Sequence, residues 1–131
     1  MNGSERDRNP QGQPRTENHP RRLAEDHFYR ALASTQRRRV LYYLLEENTS
    51  TVEELATILC GWKATETKTM QTPADRRELL VELSHNHLPQ LAEAGLIAYE
   101  SQTGSVKLDR LHPQVTDLIR QSVRAEQAAD S

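Results

Sequence analysis

The residues best suited to chemistry in this 131-residue chain are the run Ser84-His85-Asn86-His87, the pair Arg76-Arg77 just before it, and the triplet Arg37-Arg38-Arg39. Imidazole and thiolate are the usual ligands of zinc and its neighbours, so His85, His87, His112 and Cys60 raise a metal site first. Spacing argues against it. His85 and His87 are two positions apart, and on a helix such side chains point about 160° away from one another, so they do not chelate one ion together. His87 is expected to face the core as a satisfied buried histidine, and Cys60 to be a small core residue. A single cysteine permits no intrachain disulfide and no Cys-rich metal site. The sequence also shows no nucleophile-base pair, no Gly-rich phosphate loop and no paired-carboxylate motif. The chain is therefore expected not to be an enzyme and to use no metal or cofactor. What remains are guanidinium, imidazole and carboxamide groups, which contact phosphates and the edges of bases.

Those groups need a scaffold, and the hydrophobic spacing supplies one. Phe28 and Leu32 lie at i,i+4 in a short amphipathic helix for which Asp26 is a plausible N-cap. From Gln36 to Glu47, Val40, Leu41, Leu44 and Leu45 form one stripe of a second helix, which Asn48 stops. Thr51-Val52-Glu53-Glu54 reads as a capping box opening a third helix with Val52, Leu55, Ala56 and Leu59 inward. Gly61 is expected to end it. Residues 62–72 show no period and are read as a loop or frayed helical end anchored in the core by Trp62. Thr72-Pro73-Ala74-Asp75 starts a long helix, with Thr72 as N-cap and Pro73 at the first helical position. Its apolar positions Leu80, Leu83, Leu88, Leu91 and Ala94 lead to Gly95 as the C′ residue, and Pro89 invites a kink or restart near residues 85–87. After Gly95 the period changes to two, giving strands in 96–100 and 105–109 around a loop containing Gly104, a β-hairpin. Pro113 opens a last helix lined by Val115, Leu118, Ile119 and Val123, before a polar end that frays from Ala125.

The organisation that follows is a disordered tail over residues 1–22, a domain over 23–110, a C-terminal helix over 111–127 and a frayed end over 128–131. Residues 1–22 hold three of the six prolines and almost no apolar side chain, so they do not bury enough surface to order themselves. The longest apolar stretches are only a few residues, and Met1-Asn2-Gly3-Ser4-Glu5-Arg6 lacks the apolar run of a secretory signal. No membrane association and a cytoplasmic location are expected. The formal net charge is −2, unlike domains that grip phosphates by bulk charge, so any contact with DNA has to be local.

The element order is that of a winged helix-turn-helix, a mainly α fold with a small β-hairpin. Residues Ser84 to Ile97 resemble the recognition-helix end and first wing strand of ArsR-like transcriptional regulators. The chain also resembles a family of winged-helix proteins from halophilic archaea, in Ala31-Leu32, Arg37 to Leu45, Thr51 to Ala56, and His87-Leu88-Pro89 through Gly95-Leu96. The likeness runs over about residues 26–109. It implies a DNA-binding regulator, although a fold alone does not fix a function.

On that reading the long helix enters the major groove and the hairpin touches the flanking backbone or the minor groove. With Leu80, Leu83, Leu91 and Ala94 inward, Glu78, Glu82, His85, Pro89 and Glu93 face outward and Arg77 and Asn86 lie on the flanks. The candidate DNA contacts are Arg77, His85, Asn86 and Gln90, with Lys107 from the wing. Two glutamates on that face repel phosphates, although a carboxylate also accepts from cytosine. The arginine triplet is expected to pair with Glu46, Glu47, Glu53 or Glu54 and lay its stems over the core rather than clamp phosphates. Arg76 is expected to pair internally. The apolar stripe of the last helix makes it the leading element for a homodimer, with packing on its own domain as the other option. The alternative function is a protein-interaction module that binds no DNA. It draws on the acidic balance of residues 31–131, with 11 Lys+Arg against 14 Asp+Glu.

Overall fold

The computed structural model describes residues 26–130; the tail over 1–22 lies outside them. A helix over 26–32 (α1) already includes Asp26, which therefore does not cap it. Helix α2, Thr35–Glu47, is capped by Ser34, whose hydroxyl accepts from the Arg37 N–H at 3.3 Å, and ends at Asn48 with φ 70°. A short strand β1, Thr49–Thr51, leads into α3, Val52–Thr67. Thr51 caps α3 by accepting from the Glu54 N–H at 3.1 Å. The reciprocal half of the expected capping box is replaced: the Glu54 carboxylate instead accepts from the Ser50 hydroxyl at 2.6 Å.

Gly61 does not end α3. The helix runs on to Thr67 and stops at Lys68, which takes the left-handed conformation at φ 58°. Good helix formers follow the glycine (Lys63, Ala64, Glu66), and one interior Gly costs only about 1 kcal/mol. Trp62 is half-buried rather than sunk in the core, edge-on to Tyr42 with 6.1 Å between ring centroids.

Helix α4, Pro73–Glu82, starts as its sequence dictates. The Thr72 hydroxyl accepts from the Asp75 N–H at 3.1 Å and the Asp75 carboxylate accepts from the Thr72 N–H at 2.9 Å. Those bonds from Thr72 hold the Asp75 carboxyl below its ordinary pKa. A π-helical turn, Leu83–His87, then joins α4 to α5, Leu88–Glu93. Pro89 explains it: a proline has no N–H for the His85 carbonyl, and its ring crowds that oxygen. The helix widens instead, and the Leu88 N–H reaches the Leu83 carbonyl five residues back. Leu79, Leu83, His87, Leu88 and Leu91 are the buried residues of this run, while Leu80 and Ala94 are only half-buried.

Gly95, at φ 78°, turns the chain into β2, Ile97–Glu100, with the Leu96 N–H returning to the Leu91 carbonyl at 3.0 Å. The expected hairpin forms between β2 and β3, Ser105–Leu108. It gains β1 as a third strand, so that β3 is central in the order β1-β3-β2, all antiparallel. The hairpin loop is fastened to α3: the Val52 N–H, otherwise an orphan of the helix start, donates to the Gly104 carbonyl at 2.9 Å. Gly104 itself has φ 77°, and a Cβ there would lie 3.0 Å from Val52 Cγ1.

Helix α6, Pro113–Asp130, continues through the end that was expected to fray. It packs on α2, with Ile119 and Val123 fully buried and Leu118 48% exposed. The core is one cluster drawn from the helices and the sheet, centred on Leu41, Leu44, Leu55, Leu59, Leu83 and Leu91. The protein is thus mainly helical with a small antiparallel sheet, in the arrangement of a winged helix-turn-helix. Helix α3, the turn after it and the α4–α5 run form the helix-turn-helix, and the β2–β3 hairpin forms the wing. Among the described residues no helix is long and apolar enough to cross a membrane.

Candidate nucleic-acid interface

The α4–α5 run shows two chemically distinct sides. Its inner side is locked by polar contacts as well as by leucines. Arg76 reaches back to α3, donating to the Thr57 hydroxyl at 3.0 Å and the Glu53 carbonyl at 2.8 Å, and pairs with the Glu53 carboxylate at 3.2 Å. His87, 7% exposed, has its Nδ1 3.1 Å from the Arg37 guanidinium and its Nε2 3.9 Å from Glu82. A guanidinium only donates, so Nδ1 is the acceptor and the imidazole is neutral. Burial, and secondly the Arg37 charge, hold the His87 pKa below its ordinary value, with Glu82 opposing.

The outer side is free. Arg77, Val81, His85 and Pro89 follow one another at four-residue intervals, and all are exposed. Glu78 and Glu82 flank this ridge, and a shallow concavity is lined by Ala74, Arg77, Glu78, Val81 and Glu82. Arg77 has no hydrogen bond or ion pair among the described residues. Asn86 and Gln90 are placed differently from Arg77 and His85: the Gln90 amide donates to the Asn86 Oδ1, so these two carboxamides engage each other. Gln90 is half-buried. Lys107 is exposed on the central strand, opposite Thr49 and Ala98. The loop itself, Ser101 to Gly104, carries no cation. Of the five residues singled out in the sequence, the structure therefore sets Arg77 and His85 on one ridge, ties Asn86 to Gln90, and puts Lys107 on the sheet.

Val81 carries no polar group and so stands outside the expectations drawn from guanidinium, imidazole and carboxamide side chains. The signal was present: two positions on from Leu79, a helix has turned by roughly 200°, which sends Val81 away from the core that Leu79 enters.

The arginine triplet is absorbed by the fold, with partners other than those expected. The last carbonyls of α1 are collected by α2: Arg37 donates to the Ala31 carbonyl at 2.8 Å and, beside the Ala33 N–H, to the Arg30 carbonyl at 2.9 Å, and Arg38 to the Leu32 carbonyl at 2.7 Å. Arg38 also pairs with Glu126 on α6 at 2.8 Å. Arg39, 2% exposed, pairs with Glu66 on α3 at 3.1 Å, approaches Glu126 at 3.5 Å and lies 4.9 Å from the Trp62 ring centroid. Glu46, Glu53 and Glu54 are engaged elsewhere, with Arg120, Arg76 and Ser50. The Glu126 contacts hold the end of α6 in place. His85 is exposed while His87 is buried, and Cys60 is half-buried. Among the described residues no group of three or more His, Cys, Asp or Glu is placed to hold a metal ion.

A helix-turn-helix with an exposed outer ridge and a short wing defines the class. The chain belongs to the domain-of-unknown-function family DUF7344, whose model matches residues 29–107. That match ends in β3, so α6 lies beyond it. No curated protein and no solved structure matches the chain.

Proposed function

We propose that the protein is a cytoplasmic, homodimeric DNA-binding regulator that lays the outer ridge of α4 in the major groove. The observation that carries this reading is the exposed Arg77, unpaired among the described residues, on the second helix of a helix-turn-helix whose other arginines in α2 and α4 are engaged internally. A free guanidinium on such a helix is the group most often used to hold a guanine edge. Likeness of Ser84 to Ile97 to ArsR-like regulators supports the same reading, and Lys107 supplies a cation on the wing. No enzymatic activity and no cofactor belong to this proposal.

A second reading, a protein-interaction module that binds no DNA, is favoured by Glu78 and Glu82 beside the exposed Val81. Fluorescence anisotropy with random and promoter duplexes over a salt series separates the two, with molecular mass measured in parallel. A regulator binds at low salt and weakens as salt rises, because displaced counterions drive phosphate contacts. Absence of binding at low salt would overturn it in favour of the interaction module, and a monomeric mass in the bound state would overturn the dimer.

A further inference from the structure

Val81 stands at the centre of the outer ridge, one turn from Arg77 on one side and one turn from His85 on the other, and it is 57% exposed. Nothing in the fold calls for valine there. It is not part of the core cluster, and a β-branched side chain is a weaker helix former than the Ala, Glu or Lys that suit an exposed position. Its two methyls are held in a narrow range of χ1, so an apolar contact made with them loses little rotamer freedom. From Arg77 to His85 the ridge rises about 12 Å, which spans three to four steps of roughly 3.4 Å along a duplex strand. The apolar group that the major groove offers at that level is the 5-methyl of thymine. Glu78 and Glu82 beside the ridge disfavour phosphate on that flank and accept from cytosine amino groups.

We infer that Val81 is a specificity-determining residue that packs against a thymine methyl next to the base held by Arg77. The inference rests on the DNA-binding reading and adds to it what is read: a site defined by a methyl and a base edge more than by phosphate charge. The test uses the full chain and a duplex obtained by selection from random-sequence DNA, with each thymine replaced in turn by deoxyuridine, which removes only the methyl. For the wild type, one position is expected to lose about fourfold in affinity, the value of one buried methyl group. Val81→Ala is expected to bind both duplexes alike at that position, and Val81→Ile to keep the preference. Because Val81 is exposed, these variants fold as the wild type does, which circular dichroism checks. Sequence-selective binding in which no thymine methyl matters, or in which Val81→Ala keeps the same methyl preference, overturns this inference and leaves the regulator standing. A protein that binds no duplex overturns both.

Discussion

The first turn of α2 and the middle of α4 carry the same side chain under opposite conditions. At 37–39 three consecutive guanidiniums sit beside the last carbonyls of α1 and the carboxylates of Glu66 and Glu126, and the fold absorbs them. At position 77 a single exposed guanidinium makes no hydrogen bond or ion pair among the described residues. Charge density along the chain thus points to side chains that the fold uses internally. Which acceptors the fold brings near an arginine decides whether it is structure or surface. Helix ends are strong competitors, because their last carbonyls have no partner of their own.

The comparison is broken most directly at Arg39. Arg39→Ala removes the partner of Glu66 and one of the two arginines on Glu126, and with them the buried stem beside Trp62, and is expected to lower the unfolding free energy by about 3 kcal/mol, read from urea denaturation. Arg77→Ala is expected to change it by less than about 0.5 kcal/mol. Equal losses at the two sites would abolish the distinction. Next in size, Arg77→Glu is expected to weaken duplex binding about tenfold or more in the anisotropy titration while leaving the urea midpoint in place.

A smaller effect follows from His87, where the two regions meet. Its pKa is lowered in the fold by burial and by Arg37, so the unfolded chain takes up the proton first as pH falls. Stability is therefore whole above the ordinary histidine value near 6.5 and declines below it, toward the lowered folded value. Denaturation between about pH 5 and 7.5 should show this slope, and His87→Gln should flatten it. Least of all, Gly61→Ala is expected to add about 0.5–1 kcal/mol. A Cβ there meets nothing within 4 Å, so it should raise stability without moving DNA affinity, which sharpens the separation of the two quantities.

Much of this was readable from residues alone. Thr72-Pro73-Ala74-Asp75, Asn48 and Gly95 mark helix boundaries by local chemistry, and the structure places those boundaries there. Pro89 announced a disturbance in the long helix, though not its form, because a kink and a π turn answer the same missing N–H. Strand β1 was not legible: Thr49-Ser50-Thr51 has no apolar alternation, and the segment is extended because β3 has a free edge to pair. The extension of α3 past Gly61 and of α6 past Ala125 was hidden for a related reason. Glu66 and Glu126 are held by arginines 27 and 88 positions away in sequence, and no local pattern carries that information. At the candidate interface, outward positions followed from the helical period. That the Gln90 amide would donate to Asn86 did not, since an i,i+4 carboxamide pair is one option among several.

The bond between the Val52 N–H and the Gly104 carbonyl makes the hairpin tip and the first turn of α3 a single mechanical unit. The same helix carries Glu53, which Arg76 ties to α4, so the tip, α3 and α4 are joined by one chain of polar contacts. The Val52 amide proton is consequently a one-atom strain gauge. Its exchange with deuterated solvent should slow when both hairpin and helix grip the same ligand and quicken when only one of them does.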